Sequence, residues 1–517
     1  MKKIFKYSAL VSLMILGSCK KFLDQKPYNN QVIDNYYQST RDIQTAVTGC
    51  YNALLPIINS SQLLFNENRS DNATYPHTDN ITSNTDAYYP SILMVDISND
   101  YTSAYWAALY DLITRCNLVI SHIDVATDPI LKAEFLAQAK FLRAYAYFDL
   151  VRMFGDVPLV VAPIASADAA KLARTPAASV FNQIVADLQD SFTQFNTAVA
   201  GKYVMQYGQA NKWAAEGLLG KVYLYMNQPQ NALAPLTDVY NNSGYTLTTN
   251  YGDLFVVASE TTVANKEILF PIRFTAGGLG LGNNFSTIAG ITNVTTFGTN
   301  LTYYSNSLQN VFKTTSDVTK DTRYPVTCAD YTGASTPSGA VFKRYIPKLV
   351  GLVSDGAGGY KADKLLIAND GGLDWPALRF ADVALMLAEV EGINGGLDIL
   401  NRVRTRAKAP LLTAATVNSQ FGGNFQLAVL NERRMELAFE NDRWYDMRRM
   451  GNTYTTSVLV NKFTTDPAYA AYYTQTNALV ANVIQGNTID PYRYLLPIPY
   501  DQLLLSSGMV QNPGYQQ

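Results

Sequence analysis

Helical periodicity, cut at intervals by strong breakers, constrains the fold of this chain more than any other property. Ile43, Val47, Tyr51, Leu54 and Leu55 fall on one helical face, behind Ser39 and Thr40 as an N-cap. Trp106, Leu109, Tyr110, Ile113, Leu118 and Ile120 repeat the pattern. A second long helix is expected from about Ile130 to Phe154, stopped by Gly155-Asp156-Val157-Pro158. Near Asn211 another helix carries Trp213, Leu219, Gly220, Tyr223 and Leu224, breaks at Asn227-Gln228-Pro229 and restarts with Ala232, Leu233, Leu236 and Tyr240. A further pair is expected at Leu378–Gly392 and Gly396–Ala407, split by Asn394-Gly395-Gly396, and a third helical region at Gln426–Gly451. Such a chain folds as a mainly α protein.

Leu219, Gly220, Tyr223 and Ala232 match the spacing of a tetratricopeptide-type helix pair. The repeats are too degenerate for a plain solenoid, so the expectation is paired helices forming a scaffold with loops inserted. Residues 59–104 are one loop-like interval, rich in Asn, Asp, Ser, Thr and Tyr and broken by Pro76 and Pro90. A second lies between Arg273 and Lys313, where no Asp, Glu, Lys or Arg occurs. Long excursions of this kind in compact proteins are often functional.

At the N-terminus, Lys2, Lys3 and Lys6 precede a mostly apolar run from Tyr7 to Leu16. That run is shorter than the ~20 residues needed to cross a bilayer, so residues 1–18 read as a cleaved export signal. Leu16-Gly17-Ser18-Cys19 resembles the lipobox of bacterial lipoproteins, which makes Cys19 the acylated first residue of the mature chain and residues 19–38 an anchor and tether. Removing Cys19 leaves Cys50, Cys116 and Cys328, an odd number without CxxC or Cys/His metal spacing. Free buried thiols are favoured over a disulfide between Cys50 and Cys116.

Lys plus Arg is 40 against 42 for Asp plus Glu, so no global field recommends nucleic acid as a partner. Charged residues are only 16%, while Tyr numbers 35, a balance that suits neutral hydroxylated ligands. Recognisable catalytic chemistry is sparse. His77 and His122 are the only histidines, and there is no G-x-S-x-G elbow or HExxH helix. The glycines at 278–282 lack the flanking strand and helix of a phosphate loop. Glu67, Asp71 and Asp79 are the carboxylates available to an exported glycoside hydrolase, the weakest of the functional alternatives. Glu432, Glu436 and Glu440 share one helical face, with Arg433, Arg434 and Arg443 placed to neutralise them from adjacent rows and to staple the helix to neighbouring loops.

Several strings in order resemble the SusD/RagB family of lipid-anchored nutrient-binding proteins. They are Cys19-Lys20-Lys21-Phe22-Leu23-Asp24, the run from Ala139 to Val151, Phe154-Gly155-Asp156-Val157-Pro158-Leu159, and Leu400-Asn401-Arg402-Val403-Arg404-Thr405-Arg406-Ala407. Glu432-Arg433-Arg434, the run from Arg443 to Arg449, Leu496-Pro497-Ile498-Pro499 and Gln511-Asn512-Pro513-Gly514-Tyr515 complete the set. The resemblance implies tetratricopeptide-like helix pairs packed against a large irregular, loop-rich region with minor β structure. It divides the chain into a helical region at 39–270 that carries the binding loops and a C-terminal region at 271–517, packed together as one globular unit. Members bind glycans, in some cases peptides, cap a SusC-type TonB-dependent transporter in the outer membrane, and are not enzymes.

What the resemblance implies here is a lipoprotein of the outer membrane, facing the exterior, that binds a nutrient glycan and delivers it to such a transporter. A peptide-binding role on the same scaffold is the alternative. No cofactor, metal-ligating residue or catalytic residue is expected. Sugars stack their C–H faces on aromatic rings and hydrogen-bond through their hydroxyls. On that basis Tyr88, Tyr89, Tyr101, Phe285, Tyr303 and Tyr304 are expected as platforms, with Asn68, Arg69, Asp71 and Asn99 as polar partners. Alanine at Tyr303 and Tyr304 is expected to weaken binding with little change in melting temperature.

Overall fold

The computed structural model describes residues 36–59, 63–75, 85–200, 206–260, 266–290, 301–330, 344–356, 359–362, 368–466 and 483–516. Residues 1–35, where the export signal, Cys19 and most of the tether are expected, lie outside them, as do His77 and Asp79.

Helix α1 spans Thr40–Asn52, and its N-cap is Ser39, whose hydroxyl accepts the Asp42 N–H. Helix α2 (Asp100–Ser121) is capped by Asn99. Helix α3 (Pro129–Phe154) starts with Asp128 capping two backbone N–H groups and Pro129 at the first turn, and it ends at Gly155 with φ 76°. Helix α4 (Ala177–Ala200) follows; then α5 (Lys212–Tyr225), capped by Asn211, and α6 (Pro229–Asn242) form the hairpin. Each of α2 to α6 packs on the next, so these helices form a continuous stack. Gly220 on α5 is where α6 comes closest: a Cβ there would lie 2.5 Å from a Leu236 methyl carbon, which is why the Leu-Gly-x-x-Tyr spacing holds a hairpin together.

Beyond the stack come α7 (Asn306–Thr315), α8 (Phe380–Arg406), α9 (Phe425–Glu436), α10 (Arg443–Arg449), α11 (Asn452–Thr465) and α12 (Tyr500–Leu505). The stack continues through α6 onto α8 and from α8 onto α9. Strands are short: β1 (Ala73–Thr74), β2 (Ile268–Ile272), β3 (Tyr303–Tyr304), β4 (Ala329–Asp330), β5 (Arg344–Tyr345) and β6 (Trp375–Arg379) form antiparallel pairs β1–β3, β2–β6 and β4–β5. One cluster of buried apolar residues runs from Ile43 to Ile498, and Phe270 of β2 meets Phe141 of α3 edge-on at 4.8 Å.

Three sequence expectations need adjustment. The break in α8 falls at Gly392, with φ 66°, rather than at Asn394-Gly395-Gly396. The region 426–451 is two helices, because Phe439 and Asn441 adopt positive φ between them. Helix α4 was not anticipated, although Val180, Ile184, Leu188 and Phe195 form its buried stripe. Cys50, Cys116 and Cys328 are free, buried thiols.

Candidate functional site

Residues 66–72, Asn-Glu-Asn-Arg-Ser-Asp-Asn, are buried throughout, and burying so polar a run requires compensating partners. Helices α9 to α11 supply many of them. Arg443 donates from Nε and Nη2 to the two oxygens of Asp71 at 2.7 and 3.1 Å, while Arg434 Nη1 lies 3.0 Å from Asp71 Oδ2. Lys462 Nζ donates to the carbonyls of Asn68 and Ser70 at 2.7 and 2.6 Å. Arg69 Nη2 donates to the carbonyls of Arg493 and Tyr494, and its guanidinium lies 4.0 Å above the Trp444 ring. Burial pushes the Asp71 carboxyl up, but Arg434 and Arg443 outweigh it and hold the group at about 2. Burial dominates at Glu67, which is raised to about 7, and at Lys462, which is lowered to about 7.

Directly after this clasp, β1 pairs with β3, Ala73 opposite Tyr304 and Thr74 opposite Tyr303. Ser305 extends the seam, donating from its N–H to Asn72 O at 2.8 Å and from its hydroxyl to Asp71 O, 234 positions away, at 2.6 Å. Asn59 Nδ2 donates to Gly282 O, and Asn284 Nδ2 donates to Asn59 O. The two excursions singled out in the sequence are therefore joined along one seam.

Eight of the ten residues expected to touch a ligand are buried, by the seam, by the clasp or by neighbouring packing, which corrects the exposure expected of them. Tyr303 and Tyr304 are 2% and 1% exposed, so alanine at either removes packing as well as a ring. Phe285 packs against Phe274 and Trp375 with ring centroids 5.5 and 5.3 Å apart. Tyr88 is covered, with Tyr75 edge-on at 5.5 Å. Asn68 bonds Leu301 O and the Thr302 hydroxyl, and Asn99 caps α2 while donating to Asp86 O. Arg69 and Asp71 belong to the clasp. A buried ring has no face to offer a pyranose.

Tyr89 and Tyr101 are half-exposed. The 85–92 turn that carries Tyr89 is held on the start of α2 by Asp86, whose carboxylate accepts the Asp100 N–H at 3.0 Å. Tyr75, next in chain after β1, has its hydroxyl pushed up by burial and by the neighbouring Tyr101 hydroxyl. On the far side of β3, the Tyr304 hydroxyl donates to Asp330 at 2.7 Å and Arg344 lies 4.9 Å over the Tyr304 ring, next to half-exposed Tyr345. A polar pocket of about 340 Å³ opens beyond β3 between α7 and α11, lined by Asn306, Ser307, Asn310, Asn461 and Thr465 with Arg434.

Glu432 and Glu436 of α9, and Glu440 beyond its end rather than on the same helical face, draw their partners from further away than adjacent rows. Arg323 and Arg404 bind Glu432 at 2.6 and 2.5 Å; Arg379 binds Glu436 at 2.6 Å, and Arg406 is a second partner of Glu436. Glu440 pairs with Lys348 and Arg379. Arg433 instead bridges Asp382 and Asp446, so the arginines do act as staples, with other acids than expected. The glycines at 277–278 hold a carboxylate of the chain itself: both N–H groups donate to Asp370 Oδ2 at 2.9 Å. Among the described residues no group of three or more His, Cys, Asp and Glu is placed to hold a metal, and no helix is long and apolar enough to cross a membrane.

An apolar cavity of about 620 Å³ lies elsewhere, between α2, the 158–172 stretch and α12. Ile164 and Leu505 on its wall are exposed, as is Leu504, the residue before Leu505.

Comparison with known proteins follows the same architecture. A family model described as "SusD family" matches residues 295–515, and one described as "Starch-binding associating with outer membrane" matches residues 21–224. A SusD-like protein of Formosa agariphila is 26% identical over 96% of this chain and 97% of its own. Among solved structures, a laminarin-binding SusD-like protein superimposes with a TM-score of 0.72 at 21% identity, covering 93% of this chain and all of that one. A structure with xylogluco-oligosaccharide gives a TM-score of 0.69 at 21% identity, over 90% of this chain and 97% of its own. The two family models between them take in the stack up to α5 and the clasp of α9 to α11, and the chain belongs to the SusD/RagB family.

Proposed function

We propose that this protein binds a neutral nutrient glycan without cleaving it, at the outer membrane, and hands it to a SusC-type TonB-dependent transporter. The observation that carries the reading is the seam of β1 and β3, which fixes two loop-rich excursions side by side and leaves Tyr89 and Tyr101 half-exposed next to it. Half-exposed tyrosines give a flat apolar face and a hydroxyl at small entropic cost, which is what a pyranose ring needs. The laminarin-binding relative and the structure with xylogluco-oligosaccharide support the ligand class.

Binding without cleavage is supported by the state of the candidate carboxylates. Asp71 is neutralised by two arginines, and Glu67 has no exposed surface. The Cys19 lipobox supports the anchor, and the description of the matching N-terminal model supports the membrane.

Alanine at both Tyr89 and Tyr101 is expected to weaken glycan binding by at least about tenfold, equivalent to ~1.4 kcal/mol. Melting temperature should stay close to that of the parent, because both rings are only partly packed. Calorimetry beside thermal melts decides; undiminished affinity would remove these rings from the site.

For the transporter, exposed Leu505 on the wall of the apolar cavity and exposed Leu504 before it are the surface that suits a protein partner. Aspartate at both positions is expected to abolish co-purification with the transporter while glycan affinity is retained. Full recovery of the complex would place the contact elsewhere.

A further inference from the structure

We propose a second oligosaccharide-binding groove on the helix stack itself, across the α5–α6 hairpin, independent of the loops above. Three of the four tryptophans, Trp106, Trp375 and Trp444, are buried, whereas Trp213 is half-exposed. Trp213 stands at the start of α5, on the wall of a cavity of about 370 Å³ that also takes in Tyr207 and Tyr245. Tyr245 is at the same time a wall of a second cavity, about 450 Å³, between α6 and α8. There Tyr240 is stacked on Phe380, with centroids 5.3 Å apart and planes 12° from parallel. Rings on the hairpin (Trp213 and Tyr240) and just outside it (Tyr207 and Tyr245) thus line two hollows that share Tyr245.

The rings are held in place rather than loosely draped. The Tyr245 hydroxyl accepts from Asn211 Nδ2 at 3.0 Å, and that Asn211 also caps α5. Tyr207 donates to Asp374 Oδ2 at 3.3 Å, while Arg273 lies 4.9 Å over its ring. Lys212 Nζ sits 4.1 Å over the Trp213 ring, a flexible cation that an arriving sugar face can displace.

The polar lining points to the ligand class. Gln206, Gln209 and Asn241 offer amide donors and acceptors; Arg402 is the charged residue on the walls, Lys212 and Arg273 lie over the Trp213 and Tyr207 rings, Asp374 sits behind Tyr207, and among the described residues no carboxylate is on the wall of either hollow. Aromatic platforms with amides and without acids fit a neutral oligosaccharide, and they lack the paired carboxylates that glycoside hydrolysis needs. The groove is therefore assigned as a binding site for such an oligosaccharide, separate from the loop seam.

The single half-exposed indole supplies a local readout. The mature chain in detergent, labelled with 5-fluorotryptophan, would be titrated with laminarihexaose, xyloglucan heptasaccharide and maltoheptaose while the four fluorine resonances are followed, with Trp213→Phe assigning one of them. The Trp213 resonance is expected to shift saturably with at least one of these sugars. Tyr245→Ala should weaken that response by at least about tenfold, and Tyr245→Phe, which keeps the ring, should largely retain it. The response should persist within about twofold in the Tyr89→Ala/Tyr101→Ala variant, a change of less than ~0.5 kcal/mol. No shift at Trp213 with any of the three at 10 mM, or a shift that disappears in the Tyr89/Tyr101 variant, would overturn a separate groove. Because the readout is local to α5, its failure and failure of the loop site are told apart.

Discussion

Replacing Arg379 by alanine is expected to cost about 3–5 kcal/mol of folding free energy, the penalty for stranding buried charge. Arg379 donates to Glu267 Oε1 at 2.7 Å, to Glu436 Oε1 at 2.6 Å and to its backbone carbonyl at 2.7 Å, and to both oxygens of Glu440 at 2.7 and 3.0 Å. It is the residue through which the end of β6, the start of β2 and the end of α9 are tied, and it is 1% exposed. Arg406, Arg323 and Lys348 stay beside the three glutamates, so the loss is of geometry and hydrogen bonds as much as of charge. Lysine at this position should recover little, because a single ammonium cannot reproduce the planar fork. Denaturant unfolding of parent, Arg379→Ala and Arg379→Lys checks this; a change below about 1 kcal/mol, the range of an exposed pair, would mean the network is dispensable.

Asp71 is expected to give the second large effect, together with a defined pH signature. Its carboxyl titrates near 2 in the folded chain, against about 3.9 in an unfolded one. A group lowered on folding stabilises fully above its unfolded value and loses that contribution as pH falls through the folded one. Asp71→Asn should therefore destabilise by about 3–5 kcal/mol at pH 7, leaving Arg434 and Arg443 facing an amide, and the deficit should shrink steadily between pH 4 and pH 2. Glu67 acts in the opposite sense. Raised by burial to about 7, it stabilises fully below its unfolded value near 4.3 and loses that contribution as pH rises to 7. Glu67→Gln should flatten stability across that upper window. Urea unfolding from pH 2 to pH 8 separates the two; a deficit in Asp71→Asn that does not change with pH would contradict the assignment.

Much of the scaffold could be read from local chemistry. Ser39, Asp128 and Asn211 are side-chain caps that announce their helices, and Gly155 ends α3 as a turn residue must. Such signals act over four or five residues, so no knowledge of the tertiary fold is needed to see them. Helix α4 carried an equally local stripe in Val180, Ile184 and Leu188, which could have been found by the same rule.

The site was harder for a physical reason. Tyr303 and Tyr304 look like exposed loop aromatics until β1 is known to pair with them, and that partner lies more than 200 positions away. Likewise the acids of α9 meet Arg323, Arg379, Arg404 and Arg406, drawn from three separate stretches, so helical spacing alone assigned them the wrong partners. Where a position is set by a long-range contact, residue type predicts chemistry but not exposure. Trp213 shows the converse: it falls in the first turn of α5, ahead of the buried run from Ala214 to Val222, a placement that marks a ring left at the edge of its helix.

Capture without cleavage is the claim on which the functional account stands. The most direct measurement is an array of glycans and peptides probed with the soluble mature chain lacking Cys19, followed by calorimetry on each hit and by chromatography for released products. The account predicts saturable binding to a neutral glycan with no product after prolonged incubation. Binding confined to peptides would contradict the ligand class, and glycan hydrolysis would contradict the non-catalytic role.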